Sequence, residues 1–253
     1  MADGADPLLL RVRVGLAYEQ RLLGTYAPQA RVVEHHGLVG AVVGSVPESS
    51  IANATVVLEP GALDAPTIEQ VHAAYTDAGV QKWGFWVDPE DADTLAAISS
   101  AGFVFDSHPT PMAAYLADVD LDGAPAARTA TPEEVGRVND LAYGHADGRI
   151  ERMIGSLPTD VLHNYAALGD DGELVATVTV VDADDDAAVW LVATVPWARN
   201  QGHARRLLRR ALIEARERGC TTTTLIASAL GAPVYTRIGY RAVGAIHLWE
   251  RRP

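Results

Sequence analysis

The chain has 253 residues, enough for one large domain or two small ones and for a substantial buried core. With 48% hydrophobic and 21% charged residues it sits near the globular average and far from a disordered composition. Its 20 Lys plus Arg against 33 Asp plus Glu give a net charge of −13, which leaves no basic footprint for nucleic acid, and Cys220, the only cysteine, excludes an intrachain disulfide or a cysteine-rich metal site.

The opening MADGADPLLL is acidic and has no basic segment ahead of an apolar stretch, which argues against a signal peptide. No predominantly apolar window approaches the roughly 20 residues a bilayer span needs. The expectation is a cytoplasmic protein with no membrane partner.

Further along, Leu38-Val39-Gly40-Ala41-Val42-Val43 and Thr55-Val56-Val57-Leu58 flank the turn residues Pro47 to Ser50 and read as a β-hairpin. Pro60-Gly61-Ala62 follows, then a helix closed by Gly79, then Gly102-Phe103. Asp118 to Arg128, rich in Gly, Pro, Ala and Asp, reads as a linker. Thr131-Pro132-Glu133-Glu134 gives an N-cap, a proline at the first helical position and first-turn acids, so a helix is expected to about Ala142 and a short one over Arg149 to Ser156. Leu174 to Thr179 and Leu191 to Thr194 then flank Ala183-Asp184-Asp185-Asp186 as a second hairpin. Leu174 stands 136 residues after Leu38, and Pro196 stands 136 after Pro60, so the hairpins form an ungapped repeat. Gly219 stands 140 after Gly79, which places a four-residue deletion in the first copy just after Pro60.

Arg199-Asn200-Gln201-Gly202-His203-Ala204 follows the second hairpin and opens a helix whose apolar stripe is Ala204, Leu207, Leu208, Ala211, Leu212 and Ala215. A helix N-terminus with unpaired amides suits an anion, and Gly202 and Ala204 remove bulk where a diphosphate would approach. The series Val192 to Leu208 resembles the acetyl-CoA motif of the GNAT N-acetyltransferases, with its core Arg/Gln-x-x-Gly-x-Gly/Ala. About thirty residues on, Gly231-Ala232-Pro233-Val234-Tyr235-Thr236-Arg237-Ile238-Gly239-Tyr240 resembles that family's second signature. The resemblance covers roughly Thr129 to Pro253. It implies an α/β (α+β) fold of two tandem GNAT-like mixed sheets flanked by helices, with a degenerate copy at 1–122 and a catalytic copy at 129–253.

Carried over residue by residue, the resemblance gives the main chain of Val192, Ala193 and Thr194 to the pantetheine arm of acetyl-CoA. It gives the amides of Arg199, Asn200, Gln201, Gly202, His203 and Ala204 to the pyrophosphate. Arg205 and Arg206 are placed to reach a CoA phosphate or simply to face solvent. Tyr235 matches the general acid that protonates the leaving thiolate, and Ser228 is a candidate for contact with cofactor or a water. The base is unassigned, because Ala187 to Val195 carries no carboxylate. Asp182, Asp184, Asp185 and Asp186 read as a solvated hairpin tip, and His145, His163 and His247 as structural or exposed. In the first copy Leu63 replaces Arg199, Asp64 and Glu69 would repel phosphate, and Pro66 removes a donor. The implied function is an acetyl-CoA-dependent N-acetyltransferase acting on a primary amine of a small molecule or peptide, compatible with a homodimer. The alternative is a non-catalytic acyl-CoA-binding or scaffold protein.

Overall fold

The computed structural model describes residues 6–252; the first five residues of the acidic opening segment lie outside them. In chain order the elements are α1 (Pro7–Tyr26), β1 (Ala30–His35), β2 (Leu38–Val43), β3 (Ala54–Val57), α2 (Ala65–Asp77), β4 (Trp83–Val87), α3 (Ala92–Ser100), β5 (Val104–Ser107) and β6 (Thr110–Tyr115). The second half adds β7 (Arg128–Thr129), α4 (Pro132–Tyr143), α5 (Arg149–Ile154), β8 (His163–Leu168), β9 (Leu174–Ala183), β10 (Asp186–Thr194), α6 (His203–Glu217), β11 (Thr222–Ala227), α7 (Ala232–Thr236), β12 (Arg241–Ala242) and β13 (His247–Arg251). Several helix starts are explicit in the sequence. The Thr131 hydroxyl accepts from the Glu134 amide, and the Glu134 carboxylate reciprocates at the Thr131 amide, closing a capping box.

The strands form two mixed sheets, ordered β1-β2-β3-β4-β13-β5 and β12-β6-β11-β10-β9-β8-β7. These sheets do not follow the linker. β6 belongs by sequence to the first half but lies between β12 and β11 of the second sheet, while the C-terminal β13 lies between β4 and β5 of the first. Each half thus donates a strand to the other's sheet.

Helix α1 is wedged between the two sheets. Leu16 and Ala17 pack with Val39, Val56 and Trp86 of the first sheet. Leu8, Leu9 and Val12 pack with Ala113 and Val243, and Leu22 and Leu23 join Val181 and Ala188 of the second. Burying a leucine or valine is worth roughly 1.5–3 kcal/mol, so this single helix binds the halves together.

The two hairpins differ where the ungapped repeat makes them equal. β9 runs straight into a two-residue turn, Asp184 and Asp185, with Asp184 at φ 57°. In the first copy residues 44–53 instead form a loop, tied by the Asn53 side chain, which donates to Val46 O at 2.9 Å and accepts from Val43 N at 2.6 Å. Consequently Gly40 faces Thr55, whereas Ala176, its counterpart 136 residues on, faces Thr194 rather than Leu191. Equal spacing in sequence conceals a three-residue difference in register.

Candidate active site

β10 has nine residues, yet it pairs in parallel with β11 only through Asp186, Ala187 and Ala188, opposite Thr222, Thr223 and Thr224. From Val189 to Thr194 it keeps β9 on one side and has no β11 partner on the other. The two strands therefore part, and a bulge between Trp190 and Ala193, with Leu191 at φ 50°, turns the freed end of β10. The Asn139 side chain holds this bulge, donating to Leu191 O at 3.4 Å and to Thr177 Oγ1 at 3.3 Å. Val192, Ala193 and Thr194 all lie on the parted stretch. The Tyr143 hydroxyl, on a side chain that is 62% exposed, donates to Val192 O at 3.1 Å.

After β10 a single 3-10 turn, Pro196–Ala198, leads to Arg199. The Arg199 side chain does not face the loop that follows. It donates to Thr194 O at 3.2 Å and to Ala142 O at 2.7 Å, stapling the end of β10 to the end of α4. Asn200 and Gly202 take left-handed conformations, φ 63° and 78°, which turn successive amides toward the same side. None of the amides from Asn200 to Arg205 has a hydrogen-bond partner among the described residues, and Gly202 caps α6 without a side-chain bond. This is an uncapped, partly positive helix end. Arg206 arches back to donate to Gln201 O at 2.9 Å and meets His203 Nδ1 at 3.2 Å. Partial burial and then Arg206 push the His203 pKa below its ordinary value, favouring the neutral imidazole. Ala204 is half-buried and Arg205 exposed.

Tyr235 sits on α7, 8% exposed, with its ring 5.8 Å from that of Tyr240. Burial raises its pKa, so the phenol stays protonated and can only donate a proton near neutrality. The Ser228 hydroxyl accepts from Gly231 N at 3.1 Å and so shapes the turn that carries Tyr235.

The hairpin-tip reading holds for Asp184 and Asp185, the two residues of the turn, and not for Asp182 or Asp186. Asp182 pairs with Arg218 at 2.6 Å and His163 at 3.3 Å. Asp185 pairs with Arg11 at 2.6 Å, and this contact holds its carboxyl near about 2. Asp186 begins β10 and is buried, accepting from Thr222 Oγ1 at 2.6 Å and from Thr224; burial raises its pKa. A two-residue turn leaves only its central positions in solvent, which the sequence run of acids does not reveal. His247 stands in the first sheet against Phe105 and His108, and burial lowers its pKa. His145 closes the end of α4, its amide donating to Asp140 O at 2.8 Å.

The first copy is built otherwise at each of these points. Three of the four β3 residues, Ala54, Thr55 and Val56, pair with β4, so the strands stay together. At the start of α2 the Asp64 carboxylate accepts from Thr67 N at 2.8 Å. The position an external anion would take is filled by the chain's own.

Comparisons with known proteins bear on the same segment. Residues 139–240 match the model of the Acetyltransferase (GNAT) family. A comparison with curated proteins finds no match. Among solved structures, a GCN5-related N-acetyltransferase from Kribbella flavida superposes with a TM-score of 0.69 at 20% identity, over 96% of this chain and 95% of that one. A functionally unknown conserved protein from Staphylococcus epidermidis gives 0.63 at 12% identity, over 87% and 92%. A GCN5-related N-acetyltransferase from Sphaerobacter thermophilus gives 0.59 at 16% identity, over 88% and 76%. At these identities the likeness is one of fold, and it extends through both halves. No helix among the described residues is long and apolar enough to cross a membrane.

Proposed function

We infer that the chain, whose residues 139–240 match the GNAT family model, transfers the acetyl group of acetyl-CoA to a primary amine of a small molecule or peptide, with the catalytic groups in the C-terminal half. The observation that carries this reading is the parting of β10 from β11 directly ahead of a helix end with six free amides. The gap admits an extended pantetheine arm, with Val192, Ala193 and Thr194 offering main-chain partners in place of the missing strand. The amides of Asn200 to Arg205 then meet the pyrophosphate, with Arg205 beside them. A pantetheine amide would take over Val192 O from Tyr143. Arg199 contributes by fixing the loop, and Ser228 by fixing the turn under Tyr235.

In the transfer, the amine nitrogen attacks the thioester carbonyl and the C–S bond breaks. The departing thiolate, whose conjugate acid lies near 8 to 9, takes the proton of Tyr235. Burial keeps Tyr235 protonated at the start of each cycle but makes it a weaker acid, so the transfer relies on the thiolate forming within hydrogen-bond reach of the phenol.

A second reading, acyl-CoA binding without transfer, draws on one observation: β10 beyond Asp186 carries no carboxylate to accept the ammonium proton. Isothermal titration with acetyl-CoA and CoA release across a panel of amines separate the two. Binding with release supports transfer, binding without release on any amine supports the second reading, and absence of binding removes both.

A further inference from the structure

Four carboxylates are buried among the described residues, Glu19, Asp140, Asp186 and Glu250. Asp140 accepts from the amides of Ile150 and Glu151, Asp186 from two threonine hydroxyls, and Glu250 pairs with Lys82 and Arg252. Glu19, on α1 and 8% exposed, makes no hydrogen bond or ion pair among the described residues, and its carboxylate oxygens are not among the side-chain atoms sealed from solvent without a partner. An unpartnered buried carboxylate costs several kcal/mol of solvation if ionised. Burial alone raises its pKa well above the ordinary value. None of the titratable groups on the strands packed against α1, namely Arg31, Glu34 and His35 on β1, Tyr115 on β6, Asp182 on β9 and Asp186 on β10, contributes to that shift.

Its position follows from the packing of α1 along β10 and β11. Arg11 meets Asp185 and Thr222, at the start of the paired rungs. At Gly15 an added Cβ would lie 3.1 Å from Ala188 Cβ and 3.2 Å from Thr224 Oγ1, the last paired rung. Glu19 is one further turn along, about 6 Å, and two strand residues advance by about the same distance. That is the level at which the strands have parted. Glu19 lines a void of about 10 Å³ against the last paired rung, walled also by Val12, Gly15, Leu16, Ala188, Thr224 and Ile226. A void of this size takes about one water or one ammonium head.

We propose that Glu19, donated by the first helix of the N-terminal half, accepts the proton of the acceptor ammonium at the parting of β10 and β11, so that the half without a phosphate loop completes the active site of the other. The proposal rests on the acetyl-transfer reading. The ammonium gives one proton to the Glu19 carboxylate, directly or through one water, leaving a neutral amine and a carboxylic acid. The N–C bond forms and the C–S bond breaks. The thiolate takes the Tyr235 proton, the tyrosinate recovers a proton from the adduct nitrogen, and Glu19 returns its own to solvent. The products are an N-acetyl amide, CoA thiol and one released proton.

The test compares full-length wild type with Glu19→Gln, which keeps the shape and removes the basicity. With the best amine from the panel, kcat at pH 7 falls by about 10²- to 10⁴-fold, while acetyl-CoA affinity is unchanged. The variant's kcat then recovers by about tenfold per pH unit as bulk solution deprotonates the amine, a profile that a packing defect does not produce. Without ligands, Glu19→Gln melts at or above the wild-type temperature. A raised folded-state pKa contributes stability below the ordinary value that is lost as pH rises through the raised one, so the margin widens with pH. A variant with wild-type kcat and pH profile, or one that melts earlier than wild type, overturns the role of Glu19 and leaves the transfer reading standing. A wild type that releases no CoA with any amine overturns both.

Discussion

Gly202 concentrates the phosphate-binding reading in one atom's worth of space. Its φ of 78° is left-handed, so any side chain there is strained by roughly 1–2 kcal/mol. An added Cβ would nevertheless meet nothing closer than the Arg206 guanidinium at 3.4 Å, an ordinary contact. Gly202→Ala and Gly202→Glu should therefore lose similar stability, about 2–4 °C in Tm per kcal/mol for a domain of this size. They should differ in binding. A carboxylate about 5 Å from a diphosphate charge, at an effective dielectric near 20, is repelled by roughly 3 kcal/mol, or about 100-fold in Kd. Thermal melts and isothermal titration of the two variants separate strain from charge. Equal acetyl-CoA affinities for Gly202→Ala and Gly202→Glu would show that the diphosphate does not lie against this loop.

Titration of the wild type should give one acetyl-CoA site per chain, since β3 stays paired with β4 and Asp64 fills the α2 terminus; two equivalent sites would contradict this. Tyr235→Phe should lower kcat by about 10²- to 10⁴-fold with acetyl-CoA affinity unchanged, and near-normal turnover would remove the phenol from the mechanism. Arg199→Met removes the staple from Thr194 O and Ala142 O and should cost about 1–3 kcal/mol, read by urea unfolding. Glu134 is held down to about 2, first by Arg128 and then by the Thr131 amide. Its contribution to stability is therefore present above the ordinary 4.5 and lost as pH falls toward 2. Glu134→Gln should flatten that acid limb in a pH series of melting temperatures.

Local chemistry was the legible part of this chain. Thr131, Pro132 and Glu134 announce α4 because capping is settled within four residues. Leu207, Leu208, Ala211, Leu212 and Ala215 announce α6 because its buried face repeats with the helix period. Arg199 to Ala204 read as a free helix end; the structure leaves the amides of Asn200 to Ala204 unpartnered but turns that of Arg199 onto Pro196 O at 3.4 Å. What escaped was set by distant partners. α1 goes unannounced, although Asp6 accepts from Leu8 N at its start and Leu8, Val12 and Leu16 repeat at helical spacing. The role suggested for Glu19 depends on which strands α1 crosses, and nothing near position 19 records that. Asp186 looked like part of a solvated run because only the hydroxyls of Thr222 and Thr224, on another strand, make it a buried one. The placement of β6 and β13 in each other's sheets has no local signal, since a strand sequence does not name its neighbour.

That exchange has a consequence for how the chain is made. β4, whose five residues Trp83 to Val87 are all buried, pairs on one side with β13, which leaves the ribosome some 160 residues later. At roughly 5–20 residues per second of synthesis, the first sheet waits about 8 to 32 seconds for its last strand. During that interval the nascent N-terminal half presents an open, apolar strand edge to the cytosol of whatever cell translates it, an invitation to mispairing between neighbouring polysomes. Slowing elongation ahead of residue 247 lengthens the exposure, and a premature stop there leaves both β4 and β5 without the strand that joins them.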